Sequence, residues 1–288
     1  MLQIQCVKVI FHMRIRRVFV LLGLLVSAAV PAQAQTTVVA SSERATGEKY
    51  HVEFGGFFWN PNPTIIIRSE ALTEAHIGST INFVTELGLE QQRFGQIKAV
   101  LRPATKHKFR FEYTPINYEN PGFNLTRDII FNGQLYRLTL PVATQLRWNA
   151  FRFGYEYDII YRDRGFFGVL FDIKYTDVEA TLTQGAIGLE EFARARAPIP
   201  SIGAIGRVYI VPNISVTAEF SGFNLPESFD ESYRAHYFDF DLYGSINFTH
   251  NFGAQLGYRS FDVFYLIDDE DEGELKLKGF YLGGVVRF

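Results

Sequence analysis

The sequence predicts an all-β chain closing into a transmembrane antiparallel up-and-down barrel, and three observations carry that expectation. Apolar and polar residues alternate with a period of two in segment after segment, the mark of strands with one apolar face. Aromatic residues make up 16% of the 288-residue chain, with 28 Phe and 15 Tyr, a payload suited to strands whose outer face meets lipid. Tight turns and long polar connections follow each other in alternation, as in a barrel with one short-turn end and one long-loop end.

The first residues set the compartment. In MRIRRVFVLLGLLVSAAVPAQAQ (13–35), Arg14, Arg16 and Arg17 precede an apolar stretch, Val18 to Val30, and a small-x-small site, Ala32-Gln33-Ala34. This is the pattern of a secretory signal peptide, 1–34, cleaved after Ala34, with Met13 as an alternative true start. Cys6, the one cysteine, lies upstream of that cleavage, so the mature chain is expected to lack disulfides, thiolate metal sites and a lipidated cysteine. Residues 35–48, rich in Ser and Thr, read as a flexible lead-in, and 49–288 as the barrel. After the signal no apolar run reaches the roughly 20 residues of a spanning helix. A formal net charge of −3 argues against a nucleic-acid footprint.

The strands follow in order. YHVEFGGFF (50–58) sets Val52, Phe54 and Phe58 against His51 and Glu53, and QIKAVLR (96–102) sets Ile97, Ala99 and Leu101 against Gln96, Lys98 and Arg102. KFRFEY (108–113) alternates Phe109, Phe111 and Tyr113 with Lys108, Arg110 and Glu112. FRFGYEYDIIY (151–161) and FGVLFDIKY (167–175) repeat the pattern around Arg152, Glu156, Asp158, Asp172 and Lys174. AIGRVYIV (204–211), ISVTAEF (214–220), YFDFDLYGSINF (237–248), AQLGYRS (254–260) and GFYLGGVVRF (279–288) complete the set.

Tight turns at 102–107, 161–166, 211–215 and 249–252 separate long stretches at 60–92, about 117–148, 178–202, 223–235 and 267–274. With both chain ends at the short-turn side the count closes at ten strands, eight and twelve being the alternatives. TINFVTELGL (80–89) and RLTLPVATQLRW (137–148) are strand-like as well. They read as extensions of strands two and four above the membrane, or as hairpins folded over the mouth.

At the C-terminus Phe280, Leu282, Val286 and Phe288 share one parity, interrupted by Gly284. Export signal, aromatic alternation, loop rhythm and this last strand together resemble the bacterial outer-membrane β-barrel proteins, in general character the small OmpA- and OmpW-like barrels. The resemblance implies residence in the outer membrane of a Gram-negative bacterium, among outer-membrane lipid and lipopolysaccharide. It also implies recognition of the last strand by the barrel-assembly machinery, through Phe280, Leu282, Val286 and Phe288. It implies no cofactor and names no activity. Physics adds that the last strand must pair with the first, because hydrocarbon tolerates no open sheet edge. The soluble alternative, a secreted sandwich or lipocalin-like barrel, has no need of aromatics on so many strands.

If the aromatic face meets lipid, the other face lines a lumen. It carries Lys98, Arg102, Lys108, Arg110, Arg152, Lys174, Arg207, Arg259 and Arg287 against Glu53, Glu112, Glu156, Asp158, Asp172, Glu219, Asp239 and Asp241. In a narrow barrel such a set forms an interior charge network more readily than a conduit. The function expected is therefore non-enzymatic: a structural or surface-interaction role, or a narrow porin-like channel. The alternatives are a rim-active hydrolase, protease or lipid-modifying, and a surface-binding adhesion barrel.

An enzyme would need a histidine at the rim, where only His76 and His236 fall. His236 has Asp230, Glu231 and Asp239 near it in sequence, with Ser228 and Ser232 in the same loop. Charged rim loops bring such residues together by chance, so these are weak catalytic candidates beside a solvated loop histidine. DDEDE (268–272) lacks EF-hand spacing and reads as a solvated acidic loop able at most to gather divalent cations weakly. No metal, dinucleotide or nucleophile-elbow motif is found.

Deleting Phe288 is expected to lower the folded, heat-modifiable fraction in outer membranes, read as the mobility shift between unboiled and boiled samples. An unchanged folded fraction would remove the role assigned to the last strand.

Overall fold

Thirteen strands form from the described residues of a computed structural model, which are 45–68, 79–225, 233–267 and 271–288. In chain order they are β1 (Val52–Arg68), β2 (Thr80–Asn82), β3 (Phe94–Ala104), β4 (His107–Phe123), β5 (Ile129–Phe131), β6 (Gln134–Tyr136) and β7 (Val142–Arg162). β8 (Gly165–Gln184), β9 (Leu189–Val211), β10 (Ile214–Asn224), β11 (Tyr233–Asn247), β12 (Phe252–Ile267) and β13 (Asp271–Arg287) follow. The signal peptide, 35–44 of the lead-in, His76, Ser228, Asp230, Glu231, Ser232 and 268–270 of the acidic run lie outside the described residues.

Ten strands make the wall, each antiparallel to its neighbour, in the order β1, β3, β4, β7, β8, β9, β10, β11, β12, β13. The ring shuts where β13 pairs with β1, from Glu53 opposite Arg287 up to Arg68 opposite Glu272. No sheet edge then faces the hydrocarbon. This is the ten-strand up-and-down barrel the alternation called for.

Which face points outward is settled by exposure. Phe280 (67%) and Leu282 (58%) project from β13, while Arg287 beside them is 1% exposed. Phe109, Phe153, Phe171, Ile202, Phe220 and Leu242 continue the outer apolar surface around the ring. That parity holds only partway up each strand. Above the apolar band the two faces exchange character: on β1, Asn60, Asn62 and Thr64 face out while Trp59, Ile65 and Ile67 face in. On β13, Lys276 and Lys278 face out while Leu275 and Leu277 are buried. The upper barrel is built like a water-soluble one, the lower barrel like a membrane one.

This exchange explains where the sequence reading stopped each strand. Residues 60–68, 117–123, 142–148 and 178–202 were expected as polar connections or overlying hairpins, yet β1, β4, β7, β8 and β9 run through them. A strand traced by its apolar outer face ends, on paper, where polar residues take over that face. The segment 142–148 does extend strand four, as one reading had it. TINF does not extend strand two: β2 adds to the upper end of β1, with Ile67 opposite Ile81.

A lid closes the upper end. Phe83, Leu87 and Leu89 follow β2 into the mouth, and the β5–β6 hairpin covers the rest with Ile129, Phe131 and Tyr136, all fully buried. The hairpin turns at Asn132-Gly133, both with positive φ (47° and 80°), the chemistry that a two-residue hairpin turn demands.

The change of polarity fixes a membrane level that substitution can read. Leu256 lies on the outer face of β12 within the apolar band, and Ser260 lies on the same face at the height of Lys278. Leu256→Arg should cost about 2–4 kcal/mol in reversible unfolding from lipid, and Ser260→Arg only about 0–1 kcal/mol. Equal losses would place the boundary elsewhere.

Candidate functional site

The lower lumen gathers buried ionisable side chains, because strand alternation sends every second residue of ten strands into it. From β4 and β7, Lys108 reaches Glu156 at 2.5 Å and Asp158 at 3.0 Å. Arg110 joins Glu156 at 3.1 Å to Glu219 of β10 at 2.8 Å. Arg152 also holds Glu219 and pairs with Asp172 of β8 at 2.7 Å. Seven charges on four strands thus form one chain across the barrel.

A second chain lies beside it. Lys174 contacts Asp239 at 2.9 Å, Arg259 forks onto the same carboxylate at 2.7 and 3.0 Å, and Arg259 also binds Glu112. Lys98 pairs with Asp241 at 3.0 Å, whose other oxygen accepts a hydrogen bond from the Tyr281 hydroxyl at 2.8 Å. At the short-turn end Arg287 holds Glu53 at 2.5 Å and donates to Asn247 at 2.7 Å. Among the residues named as lumenal from sequence, Arg102 and Arg207 pair with none of the named acids: Arg102 donates to the Thr105 carbonyl at 2.8 Å. Arg207 lies among hydroxyls and donates to Thr217 and Tyr243.

Their acid comes from the last residues of the segment expected to be a flexible lead-in, of which 45–48 are described and held in place. Residues 45–50 cross the short-turn mouth as a strap. The Glu48 carboxylate sits between Arg207 (2.8 Å) and Arg102 (3.6 Å) and accepts a 2.7 Å hydrogen bond from the Tyr209 hydroxyl. The strap backbone is pinned as well: Thr46 N–H donates to Pro212 C=O at 2.7 Å, and Asn247 donates to Thr46 C=O at 2.6 Å. Gly47 has φ +85°, and a Cβ there would meet the Arg287 guanidinium at 2.7 Å, so this crossing needs glycine.

Glu48 completes the charge count. The nine inward bases now face nine acids, Glu48, Glu53, Glu112, Glu156, Asp158, Asp172, Glu219, Asp239 and Asp241. Burial pushes the Glu48 carboxyl up, but Arg207, with the Tyr209 hydrogen bond and Lys108, outweighs burial and holds it below its ordinary 4.5.

Aromatic rings divide this ionic layer from the apolar core above. Lys174 lies 4.2 Å from the centroid of Tyr237 and Lys98 4.9 Å from that of Tyr281, and Arg259 stands 5.8 Å from Trp59. Each cation meets a ring face on the side where hydrocarbon begins, which softens the change of medium. Higher up, Trp148 packs on Phe261 at 4.9 Å with Leu146, Leu182 and Ile116 around them. Between Lys98, Arg110, Glu112 and Arg152 a space of about 30 Å³ remains, enough for a water or two.

Of the rim candidates, His236 and Asp239 are described, and they do not meet. His236 faces outward on β11, stacked on Phe264 at 5.1 Å, with Asp262 at 3.8 Å. Asp239, three residues on, faces the lumen, bound to Arg259 and Lys174. The opposite parity of 236 and 239 puts a sheet between them, so this pair is not formed; Asp230, Glu231, Ser228 and Ser232 lie outside the described residues. Glu272, from the acidic run, pairs with Arg68 at 3.7 Å. No cluster of three metal-ligating side chains occurs among the described residues. Sequence reading missed Glu48 and the apolar upper lumen. A lone glutamate before the first strand carries no period to mark it.

No protein-family model matches the chain, and no curated protein does so by sequence. Solved barrels do match in structure. The outer-membrane protease OmpT of Escherichia coli aligns over 85% of this chain and 98% of its own, with a TM-score of 0.55 at 9% identity. Ail, the attachment invasion locus protein of Yersinia pestis, aligns over 83% and 99% with a TM-score of 0.36 at 10% identity. The toluene transporter TodX of Pseudomonas putida aligns over 83% and 90% with a TM-score of 0.34 at 9% identity. The likeness to OmpT establishes a shared fold, the small outer-membrane β-barrel.

The strap should respond to acid. Because the folded-state pKa of Glu48 is depressed, its contribution is full above the ordinary value of 4.5 and is lost as pH falls through the lower folded value. Hydrogen-exchange protection of 46–48 should therefore hold from pH 7 to 5 and fall below that. Glu48→Gln should lose at least about tenfold protection already at pH 7, as expected for one buried charge-assisted bond. Equal protection in the two proteins would detach the strap from Glu48.

Proposed function

We propose that this protein is a bacterial outer-membrane barrel that acts without catalysis, as a sealed wall element presenting a rigid extracellular rim. The observation that carries this reading is a lumen filled along its length. The strap occupies the periplasmic mouth, nine acids matched by nine bases occupy the lower half, and an apolar core under a lid occupies the upper half. The structural and surface-interaction role is thereby favoured over the narrow channel. The outer-membrane location is supported by the closed wall, its outward aromatic band and the fold shared with OmpT.

A non-enzymatic role is favoured over a rim hydrolase by the position of His236 on the outer wall, away from Asp239. OmpT is a protease, and at 9% identity the likeness carries the fold and not the activity. The last-strand residues Phe280, Leu282, Val286 and Phe288 all lie on the lipid face, the surface on which assembly machinery would meet them.

Purified protein in planar bilayers should show no steady conductance. Arg110→Ala combined with Glu156→Ala leaves Lys108 with Asp158 alone and Glu219 with Arg152 alone and empties two large side chains from the lumen, and should admit ions or lower the unfolding temperature. A large, stable single-channel conductance from the unmodified protein would overturn the sealed reading and promote the channel.

A further inference from the structure

The backbone of β9 has a direction at every residue. Tyr209 N–H donates to the Arg164 carbonyl at 2.9 Å, so odd-numbered residues of β9 turn their N–H and C=O groups towards β8. The register between β8 and β9 runs unshifted from Val208 up to Leu189, which carries that parity to the tip. Even-numbered residues turn the other way, towards β10. But β10 leaves β9 at Gly222, opposite Ile202. Above Ile202, no strand among the described residues pairs with β9 on that side, and its even-numbered residues form a sheet edge.

The edge has a blunted part and an open part. Pro198 and Pro200 bring no N–H to it, the usual protection of an exposed edge. Glu190, Phe192, Arg194 and Arg196 keep both N–H and C=O on it. Among the described residues, these groups receive one hydrogen bond, from the Asn132 side chain to the Phe192 carbonyl, long at 3.4 Å. Phe192 (55% exposed) and Ile187 in the adjoining turn (57%) add apolar surface here, above the lipid-facing band. The open part is complementary to itself. Hydrogen-bonded rungs need even residues opposite even residues, and run antiparallel about Ala193 the segment sets Glu190 opposite Arg196 of a second copy and Phe192 opposite Arg194. Every open N–H and C=O is then paired, with carboxylate–guanidinium and guanidinium–ring contacts on the outer face. Centring on Arg194 sets arginine against arginine and Glu190 against Pro198, which has no N–H. Centring on Phe192 leaves Arg196 opposite Gly188, in the turn at φ +64°.

We infer that Glu190–Arg196 of β9 pairs edge to edge with the same segment of a second copy of this chain. The twofold axis of such a pair stands perpendicular to the sheet. The two barrels therefore point in opposite directions, and the contact joins two membranes face to face. The inference rests on the rim-presenting role proposed above and names the partner of that rim.

The test uses the full chain carrying Cys6→Ala, refolded in detergent and followed by sedimentation equilibrium, with heat-modifiability showing that each variant folds. The parent should dimerise. Ala193→Cys should give a disulfide-linked dimer, because an opposite pair without mutual backbone bonds brings its Cα atoms to about 4.5 Å. Phe192→Pro removes an edge N–H, as Pro198 does, without touching the β8 ladder, and should abolish both dimers. Glu190→Arg and Arg196→Glu should each weaken self-association about tenfold, yet bind each other when mixed, because each then supplies the charge that the other lacks. In liposomes the parent should cluster vesicles and Phe192→Pro should not. A parent that stays monomeric and gives no Ala193→Cys dimer would overturn the pairing, and so would a dimer indifferent to Phe192→Pro and to both charge reversals. A dimer in detergent without vesicle clustering would overturn the opposed arrangement. Association is read in detergent and conductance in bilayers, so failure here is distinguishable from failure of the sealed-barrel reading.

Discussion

The hydrogen-bonded seam between β1 and β13 is the constraint on which the rest of this molecule depends. Hydrocarbon offers no partner to a backbone N–H or C=O, so the sheet spans only if its first and last strands meet. They meet over sixteen residue pairs with no shift of register, from Glu53 opposite Arg287 to Arg68 opposite Glu272. Once the ring is shut, each side chain has two destinations, outside or lumen, and a slip of one residue would exchange them throughout. Within the band such a slip would drive Lys108, Arg152, Glu156 and Asp172 into lipid. Alternation and closure therefore enforce one another.

Closure also isolates the lumen, and isolation makes charge matching obligatory. A buried pair contributes little net stability, but one of its members left alone costs about 3–5 kcal/mol. Arg207 illustrates the consequence. Its neighbours on β10 and β11 supply hydroxyls and no carboxylate, and the acid arrives from outside the wall, on the strap. The strap is thus part of the electrostatic structure of the barrel. Its crossing is tight enough that Gly47 has no room for a Cβ beside Arg287.

The legibility of the sequence followed the same physics. Inward parity was readable wherever aromatic and charged residues alternated, as in KFRFEY, where Phe109 and Phe111 point out while Lys108 and Glu112 are buried. Strand ends were not readable by that rule. In NPNPTIIIR the polar residues occupy the outer face and isoleucines the inner one, so the eye that follows outward aromatics loses β1 at Trp59. The inverse alternation, polar outside and apolar inside, was present in the letters and belongs to the same strand above the membrane. Glu48 could not be placed because its role is defined by arginines about 54 and 159 residues away, a purely tertiary relation. His236 and Asp239 were grouped by proximity in sequence, which in a strand means opposite faces when the separation is odd.

Two different cores in one lumen divide the work of stability and specificity. The ionic half near the short turns contributes little net free energy, but it penalises any register that leaves a charge unmatched. The upper half buries Trp59, Trp148, Phe83, Phe131, Ile65 and Leu146, each contributing on the order of 1.5–3 kcal/mol by removal from water. That burial has a driving force only because this part of the barrel stands in water, where apolar side chains gain by turning inward. In the band, the surrounding lipid removes that gain and leaves the lumen free to be polar. The level at which the faces exchange is thus set by the medium outside the wall, and the aromatic layer of Tyr237, Tyr281 and Trp59 sits between the two cores because its rings satisfy both.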